Sequence, residues 1–332
     1  ILNIWGKNYA YNHKNKQVNA FPLITAIEST NACIMKCKMC PREKYMKRKV
    51  GFMDISLFDK IISQLKYNKG KLINLHHFGD PLLHPRIGDL INICHKYGLK
   101  ASLSTNPQLL TKEKIKTLLD NRLDSIHLSL DGATKETYEF LRGGIANFEK
   151  ALEGIDNLLK EKLKRKMKSP FVQIAMIKMR NTEKEIDSFR EMWKRDGIDD
   201  IQVRPFIRWD GVRNEINEMA HEEQFAKKGK RDFPCYWPWA RLVILWDGRV
   251  IPCCYDYDGK IILGDLKTQT IEEIWNGERM KKLREMSINN NFPQGHPCKF
   301  CKEKEGITPS KLFPLNLLVK KGPKLIDYLK YN

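Results

Sequence analysis

Cys33-Ile34-Met35-Lys36-Cys37-Lys38-Met39-Cys40 places three cysteines in one short run, with three and then two residues between them. That spacing lets a single loop wrap three thiolates around one centre. A mononuclear zinc ion normally takes four ligands and commonly draws them from two C-x-x-C hairpins. Three thiolates in one loop, with no fourth ligand nearby, instead suit a four-iron cluster with one iron left open. The triplet follows an apolar run, Leu23–Glu28, that reads as a strand. In α/β barrels, catalytic groups sit beyond the C-terminal ends of strands.

Outward from this loop, six short apolar runs read as strands: Leu23–Glu28, Leu72–Phe78, Leu99–Ser104, Asp124–Leu130, Phe171–Met179 and Asp200–Phe206. Helical patterns lie between them at Ser56–Lys66, Arg86–Tyr97, Thr111–Asn121, Asn147–Lys164 and Thr182–Arg195. In the fourth, Phe148, Leu152, Ile155, Leu159 and Leu163 recur at helical spacing. Alternation of this kind predicts a parallel α/β sheet, barrel-like or doubly wound. The pattern breaks in the polar stretch 208–234, with its basic patch Lys227-Lys228-Gly229-Lys230-Arg231. A second unit starts at Cys235, with a hairpin turning at Asp247-Gly248 between Leu242–Trp246 and Val250–Cys253. Thr270 and Glu273 form a capping box for a following helix, and the unit closes at Cys298-Lys299-Phe300-Cys301. The expected organisation is an N-terminal arm (1–19), a core (20–210), a linker (211–234), an auxiliary unit (235–305) and a tail (306–332).

The chain has 332 residues, enough for one large domain with a smaller one, and 42% of them are hydrophobic, which excludes a disordered chain. No run approaches the length of a membrane span, and Ile1-Leu2-Asn3-Ile4-Trp5 lacks the form of a signal peptide. Nine cysteines, an odd and clustered set, read as metal ligands more readily than as a secreted disulfide framework. A reducing, cytoplasmic setting follows. Lys and Arg outnumber Asp and Glu by 59 to 40, a net charge of +19. The densest basic run, 160–168, ends a helix, where cations favour the dipole, and reads as a solvated face.

Glu28-Ser29-Thr30-Asn31-Ala32-Cys33, continued through Cys37 and Cys40 to Pro41, resembles the cluster loop of radical S-adenosylmethionine (SAM) enzymes. The resemblance extends over residues 20–210 and implies a partial (β/α)6 TIM-like barrel with a small C-terminal iron–sulfur domain. Gly79-Asp80-Pro81 falls after the second strand, where the family has a Gly-Glu-Pro segment holding the SAM amino group. Asp80 is one methylene shorter than the usual Glu, which shifts the expected contact toward backbone carbonyls. Ser104 and Asn106 follow the third strand, and Ser129 and Asp131 the fourth. Arg142 matches the family segment whose Arg pairs with the SAM carboxylate, and Asn181 a residue near the adenosine. The resemblance implies that the open iron binds SAM, that one electron cleaves it, and that a 5′-deoxyadenosyl radical abstracts a substrate hydrogen. It also implies a flavodoxin- or ferredoxin-like electron donor.

Cys235, Cys253, Cys298 and Cys301 form a second set, a closed four-thiolate site for zinc or an iron–sulfur cluster. The arrangement resembles the short "twitch" form of the SPASM extension, which holds one auxiliary four-iron cluster. Seven thiolates on two oxidised clusters would bring the charge from +19 to roughly +16. Cys94 reads as core, and Cys254 as an outward neighbour or a hydrogen-atom donor. His76, His77 and His127 lie on strands two and four, where alternation turns some side chains toward the barrel interior. The leading expectation for the reaction is oxidation or epimerisation of an alcohol carbon of a sugar, cyclitol or nucleotide-linked sugar. A peptide-modifying maturase is the second, and an RNA-acting enzyme, suggested by charge alone, the third; nucleic acid is not an expected partner. Arg204 and Arg208 are candidate holders of a substrate phosphate or carboxylate, and Asp210 a candidate base.

Overall fold

The computed structural model describes residues 2–65, 70–207, 209, 216, 218–220 and 234–301. Arg208 and Asp210, most of the linker and the tail lie outside the described residues. Six parallel-type strands follow the expected order: β1 (Leu23–Ile27), β2 (Leu72–Asn74), β3 (Lys100–Thr105), β4 (Ser125–Ser129), β5 (Phe171–Lys178) and β6 (Asp200–Pro205). β2 to β6 form one parallel sheet in sequence order. Its outward rows carry Leu103, Ile126, Val172 and Ile174, all fully buried under the flanking helices. In chain order the helices up to β6 include α1 (Leu2–Asn12), α2 (Pro41–Tyr45), α3 (Ile55–Ser63), α4 (Ile87–Lys96), α5 (Lys112–Asp120), α6 (Lys135–Arg142), α7 (Phe148–Lys164) and α8 (Ile186–Trp193). Asp54, Thr111, Thr134 and Asn147 cap α3, α5, α6 and α7 through their side chains, which explains why these starts are sharp. Cys94 is fully buried on α4.

β1 departs from a simple six-strand ladder. It pairs in parallel with β7 (Arg241–Ile244), from Leu23↔Arg241 to Ile27↔Ile244, and so belongs to a sheet of order β1-β7-β8-β9. β8 (Arg249–Ile251) and β9 (Gly264–Asp265) complete it as antiparallel neighbours. Side chains close the seam between the sheets: Asn74 Nδ2 donates to Thr25 O at 2.9 Å, and Ser29 Oγ to Leu75 O at 2.7 Å. The barrel is thus partial, with β6 on its open side.

The stretch expected as an N-terminal arm contains α1, which docks on the C-terminal unit. Tyr11 Oη donates to Pro234 O at 2.7 Å, and Tyr236 Oη to Asn8 Oδ1 at 2.6 Å. Arg284, fully buried, donates to Lys16 O at 2.7 Å. Part of the expected linker packs as well: Ile216, Met219 and Ala220 are buried with Met39, Leu141, Met179 and Phe206. The 160–168 basic run is partly paired, since Lys162 is buried 3.3 Å from Asp199 and Arg165 bonds Glu161 at 2.8 Å. The stretch from 182 begins as a 3-10 turn, Glu183–Glu185, before α8. No helix among the described residues is long and apolar enough to cross a membrane.

Candidate active site

The triplet loop leaves the C-terminal end of β1 and is held at several points. Arg42 bridges its start, donating from Nε to Asn31 O at 2.9 Å and from Nη2 to Cys33 O at 3.0 Å. Cys40 caps α2, whose first residue is Pro41, and its N–H donates to Cys37 O at 3.1 Å. Beneath the loop, Glu28 and Arg48 make a bidentate pair, both bonds 2.8 Å, with side chains 0% and 2% exposed. Arg48 Nε also donates to Tyr257 O at 2.9 Å, and Glu28 accepts from Phe78 N and Trp246 N, each at 3.3 Å. One ion pair therefore ties the loop to the segment after β2, a strand four residues shorter than the expected Leu72–Phe78, and to the C-terminal unit.

Cys33, Cys37 and Cys40 line one cavity together with Gly79, Asp80, Ser104, Thr105, Asn106, Ser129, Asp131 and Arg142. Gly79 has φ +82°, and a Cβ there would lie 2.6 Å from Asn31 Cα, so only glycine lets this segment approach the loop. Asp80 N donates to Ala32 O at 2.8 Å. The Asp80 carboxylate turns to the chain: it accepts from Thr105 Oγ1 at 2.7 Å, Asn106 N at 2.9 Å and Leu82 N at 3.1 Å. Burial pushes it up to about 6 despite these donors. Pro81 is buried as the first residue of the turn Pro81–Leu83 and does not line the cavity. Asn181 is exposed after β5 and lines a second cavity that meets the first at Cys37, Cys40 and Glu43.

Arg142 reaches back from the last turn of α6. Its Nη2 bonds Asp131 Oδ2 and Ser129 O, both at 2.6 Å, and Nη1 lies 3.7 Å from Cys37 Sγ. Burial alone would lower its pKa, but Asp131 and Cys37 more than offset this and raise it. Two buried donors on this cavity have no partner, Arg142 Nε and Asn106 Nδ2. Such orphans are rare in folded proteins and fit a ligand with acceptor oxygens, as the carboxylate of an amino acid supplies. Burial, then Asp80, pushes Cys33 up to about 11, and burial, then Cys37, pushes Cys40 up to about 12. Iron loading at these positions therefore displaces protons.

In the C-terminal unit, Cys253, Cys298 and Cys301 line one cavity. Burial, then Cys254, raises Cys253 well above the ordinary thiol range. Cys235 is half-buried just before Tyr236 and is not part of that lining. Cys254 accepts from Arg241 Nη2 at 3.2 Å, and that guanidinium stacks 3.3 Å from the Trp237 ring centre. Trp209 lines both this cavity and that of the triplet; its Nε1 donates to Met39 O at 2.9 Å. Thr105, Arg42 and Trp209 are site residues that sequence reasoning missed. Thr105 stands between two residues it singled out, and Trp209 between Arg208 and Asp210. Arg204 lies on β6, exposed on the open side, with Nη2 3.3 Å from His127 Nδ1.

The radical SAM superfamily pattern matches residues 27–192, from the end of β1 through most of α8. The chain belongs to the radical SAM superfamily. Residues 235–302 match the SPASM iron–sulfur cluster-binding domain, so this radical SAM enzyme carries a C-terminal domain of SPASM/twitch type. Its cofactors are SAM and [4Fe–4S] clusters. A curated relative is the tungsten-containing aldehyde ferredoxin oxidoreductase cofactor-modifying protein of Pyrococcus furiosus, 25% identical over 82% of this chain and 86% of that protein. Another is the SAM-dependent 2-deoxy-scyllo-inosamine dehydrogenase of Niallia circulans, 20% identical over 83% of this chain and 90% of that one. Among solved structures, Streptococcus suis SuiB bound to its precursor peptide SuiA superposes with a TM-score of 0.64 at 15% identity, over 93% of this chain and 76% of that one. The last likeness concerns fold alone.

Proposed function

We propose that this radical SAM enzyme oxidises or epimerises an alcohol carbon of an oxygen-rich small molecule, a sugar, cyclitol or nucleotide-linked sugar. The observation that carries the reading is the lumen of the barrel. Register aligns Ser104, His127, Gln173 and Asp200 in one row, and Ser129, Ala175 and Gln202 in the next. Ser104 and Ser129 line the triplet cavity, so these rows, polar except at Ala175, face inward, the chemistry a polyol needs. The similarity to a cyclitol dehydrogenase over most of both chains supports the same choice.

When bound, the open cluster and SAM supply a 5′-deoxyadenosyl radical. Within this reading, Cys33, Cys37 and Cys40 hold the cluster, and Arg142 and Asn106 offer donors to the SAM carboxylate. Ser104, Ser129 and Asp131 shape the cofactor wall, while Gly79 permits the close approach of the segment that reaches the SAM amino group. Cys253, Cys298 and Cys301, with Cys235 as fourth ligand, hold one auxiliary cluster as an electron acceptor. A flavodoxin- or ferredoxin-like protein provides the initial electron in a cytoplasmic setting, consistent with nine cysteines of which none is in a disulfide. The test is deuterium transfer into 5′-deoxyadenosine from a panel of labelled sugars and cyclitols. Cys37→Ala is expected to abolish SAM cleavage, whereas Cys253→Ala retains part of it and fails to release oxidised product. Transfer from a labelled peptide and from no polyol would overturn the reading.

A further inference from the structure

Helix α6 carries a second buried side chain, Tyr138, one turn before Arg142. Residues four apart on a helix share a face. Tyr138 Oη donates to Asn106 Oδ1 at 2.9 Å. The main-chain N of Gln108 lies 2.9 Å from the same oxygen. A main-chain N–H only donates, so the atom facing it is the amide oxygen and not the nitrogen. Tyr138 supplies the second donor, and both lone pairs of Asn106 Oδ1 are engaged. Asn106 Nδ2, on the other side of the amide, is one of the two orphan donors on the triplet cavity.

Packing holds Tyr138 in this place. Its ring is tilted 50° against that of Phe148, with the centres 5.5 Å apart. A Cβ on Gly132 would lie 2.8 Å from Tyr138 N, so the Asp131-Gly132 turn lies close against α6. Burial pushes the Tyr138 hydroxyl up to about 12, so it keeps its proton and remains a donor at neutral pH. The Asn106 main chain is anchored separately, its N–H donating to Asp80 Oδ2 at 2.9 Å. Tyr138 therefore acts on the amide and not on the path of the chain. Without the hydroxyl, Asn106 Oδ1 keeps one bond, that to Gln108 N, about which the amide can pivot.

We propose that Tyr138 is a positioning residue that fixes which way the Asn106 amide faces, so that Nδ2 joins Arg142 Nε as a donor to the SAM carboxylate. The proposal rests on the carboxylate role given above to Asn106 and Arg142, and it is independent of which substrate the enzyme oxidises. Tyr138 itself is not among the residues that line the cavity. Helix α6 thereby serves carboxylate recognition twice, directly through the Arg142 guanidinium and indirectly through the Tyr138 hydroxyl. Fixing the amide beforehand spares the ligand the cost of ordering it.

The test is the Kd of SAM, read by anaerobic equilibrium dialysis of the full chain with its clusters loaded and oxidised, so that no cleavage occurs. Asn106→Asp keeps an oxygen for Tyr138 and Gln108 and keeps the cap on the turn Pro107–Leu109, but puts an acceptor where Nδ2 was a donor. At about pH 8, where the new carboxylate is ionised, it is expected to weaken SAM about 100-fold or more. Tyr138→Phe keeps the ring and is expected to weaken SAM about 5- to 10-fold, the loss of one neutral hydrogen bond. In the Asn106→Asp background, Tyr138→Phe is expected to change the Kd less than about 2-fold, because no donor remains to be fixed. A packing role for Tyr138 would instead weaken SAM equally in both backgrounds, and that result overturns the proposal. So does Tyr138→Phe binding SAM as the parent does while Asn106→Asp does not, which leaves the carboxylate role of Asn106 standing. Parent-like binding in Asn106→Asp refutes that role and the proposal together. None of these constants depends on the substrate, so the polyol reading stands or falls separately.

Discussion

Arg48→Met probes the ion pair that fastens the triplet loop to the rest of the molecule. In the parent, Glu28 and Arg48 share two 2.8 Å bonds with almost no exposure of either side chain. Methionine fills similar volume but leaves the Glu28 carboxylate with only two 3.3 Å main-chain donors, Phe78 N and Trp246 N. It also leaves Tyr257 O without its 2.9 Å donor. Breaking one side of a buried pair costs about 3–5 kcal/mol, because an uncompensated charge stays buried. At about 2–4 °C per kcal/mol, the melting temperature falls on the order of 10 °C. The assay is anaerobic thermal unfolding followed by tryptophan fluorescence, with iron content matched to the parent. The double variant Glu28→Met/Arg48→Met removes the stranded charge and is expected to recover part of the loss. A fall of less than about 1 kcal/mol in Arg48→Met, the range of an exposed pair, would refute the reasoning. So would a double variant worse than the sum of the singles.

Gly79→Ala meets both a positive φ and a 2.6 Å approach to Asn31 and Thr30, and is expected to lose about 2–4 kcal/mol in urea titration together with most SAM cleavage. Arg142→Met strands Asp131, whose side chain is 4% exposed, and removes the orphan Nε donor; the KM for SAM, read from 5′-deoxyadenosine, is expected to rise about 10- to 100-fold. Asp80 is pushed from 3.8 up to about 6, so the folded chain retains a proton that the unfolded chain has already released. Its stabilising contribution is full below about pH 4 and is lost as pH rises to about 6, roughly 3 kcal/mol in all. Asp80→Asn removes that slope, which urea titrations of the SAM-free protein at a series of pH values resolve. Thr270→Ala breaks a capping box in which Thr270 and Glu273 satisfy each other's main-chain N–H, and costs about 1 kcal/mol with no change in SAM cleavage.

Much of this was legible because local rules carried it. The six strands and five helices come from periodicity, and their ends from caps such as Thr111 and Asn147. The hairpin at Asp247-Gly248 comes from a turn with φ +89° at Gly248, and the triplet from spacing. What was not legible depends on partners far along the chain. β2 stops at Asn74 because its side chain and the Ser29 hydroxyl close the seam with β1 in place of a ladder. α1 has no strong apolar period; it is defined by the surface around Tyr236 and Trp239, which takes Asn8 and Asn15 as partners. The turn of the Asp80 carboxylate toward Thr105 followed from neither spacing nor family likeness, since it needs β2 and β3 to be adjacent. Asn181, just beyond the end of β5, lines a second cavity that shares Cys37 and Cys40 with the first, an adjacency that depends on how the triplet loop lies across the strand ends.

The pairing of β1 with β7 has a consequence for how the chain comes together. The strand that launches the triplet loop cannot complete its ladder until residues near Arg241 have been synthesised, long after β2 to β6 can associate. During that interval the loop hangs from an edge strand with unpaired amides, and its thiols are open to solvent and oxidant. Iron delivery before the C-terminal unit arrives would meet a loop whose Glu28–Arg48 pair still lacks its bonds with Trp246 and Tyr257, whereas delivery afterward meets one tied to that unit as well. Cutting the protein between its two cysteine sets would accordingly yield two fragments that each lack a strand, not two independent iron–sulfur domains.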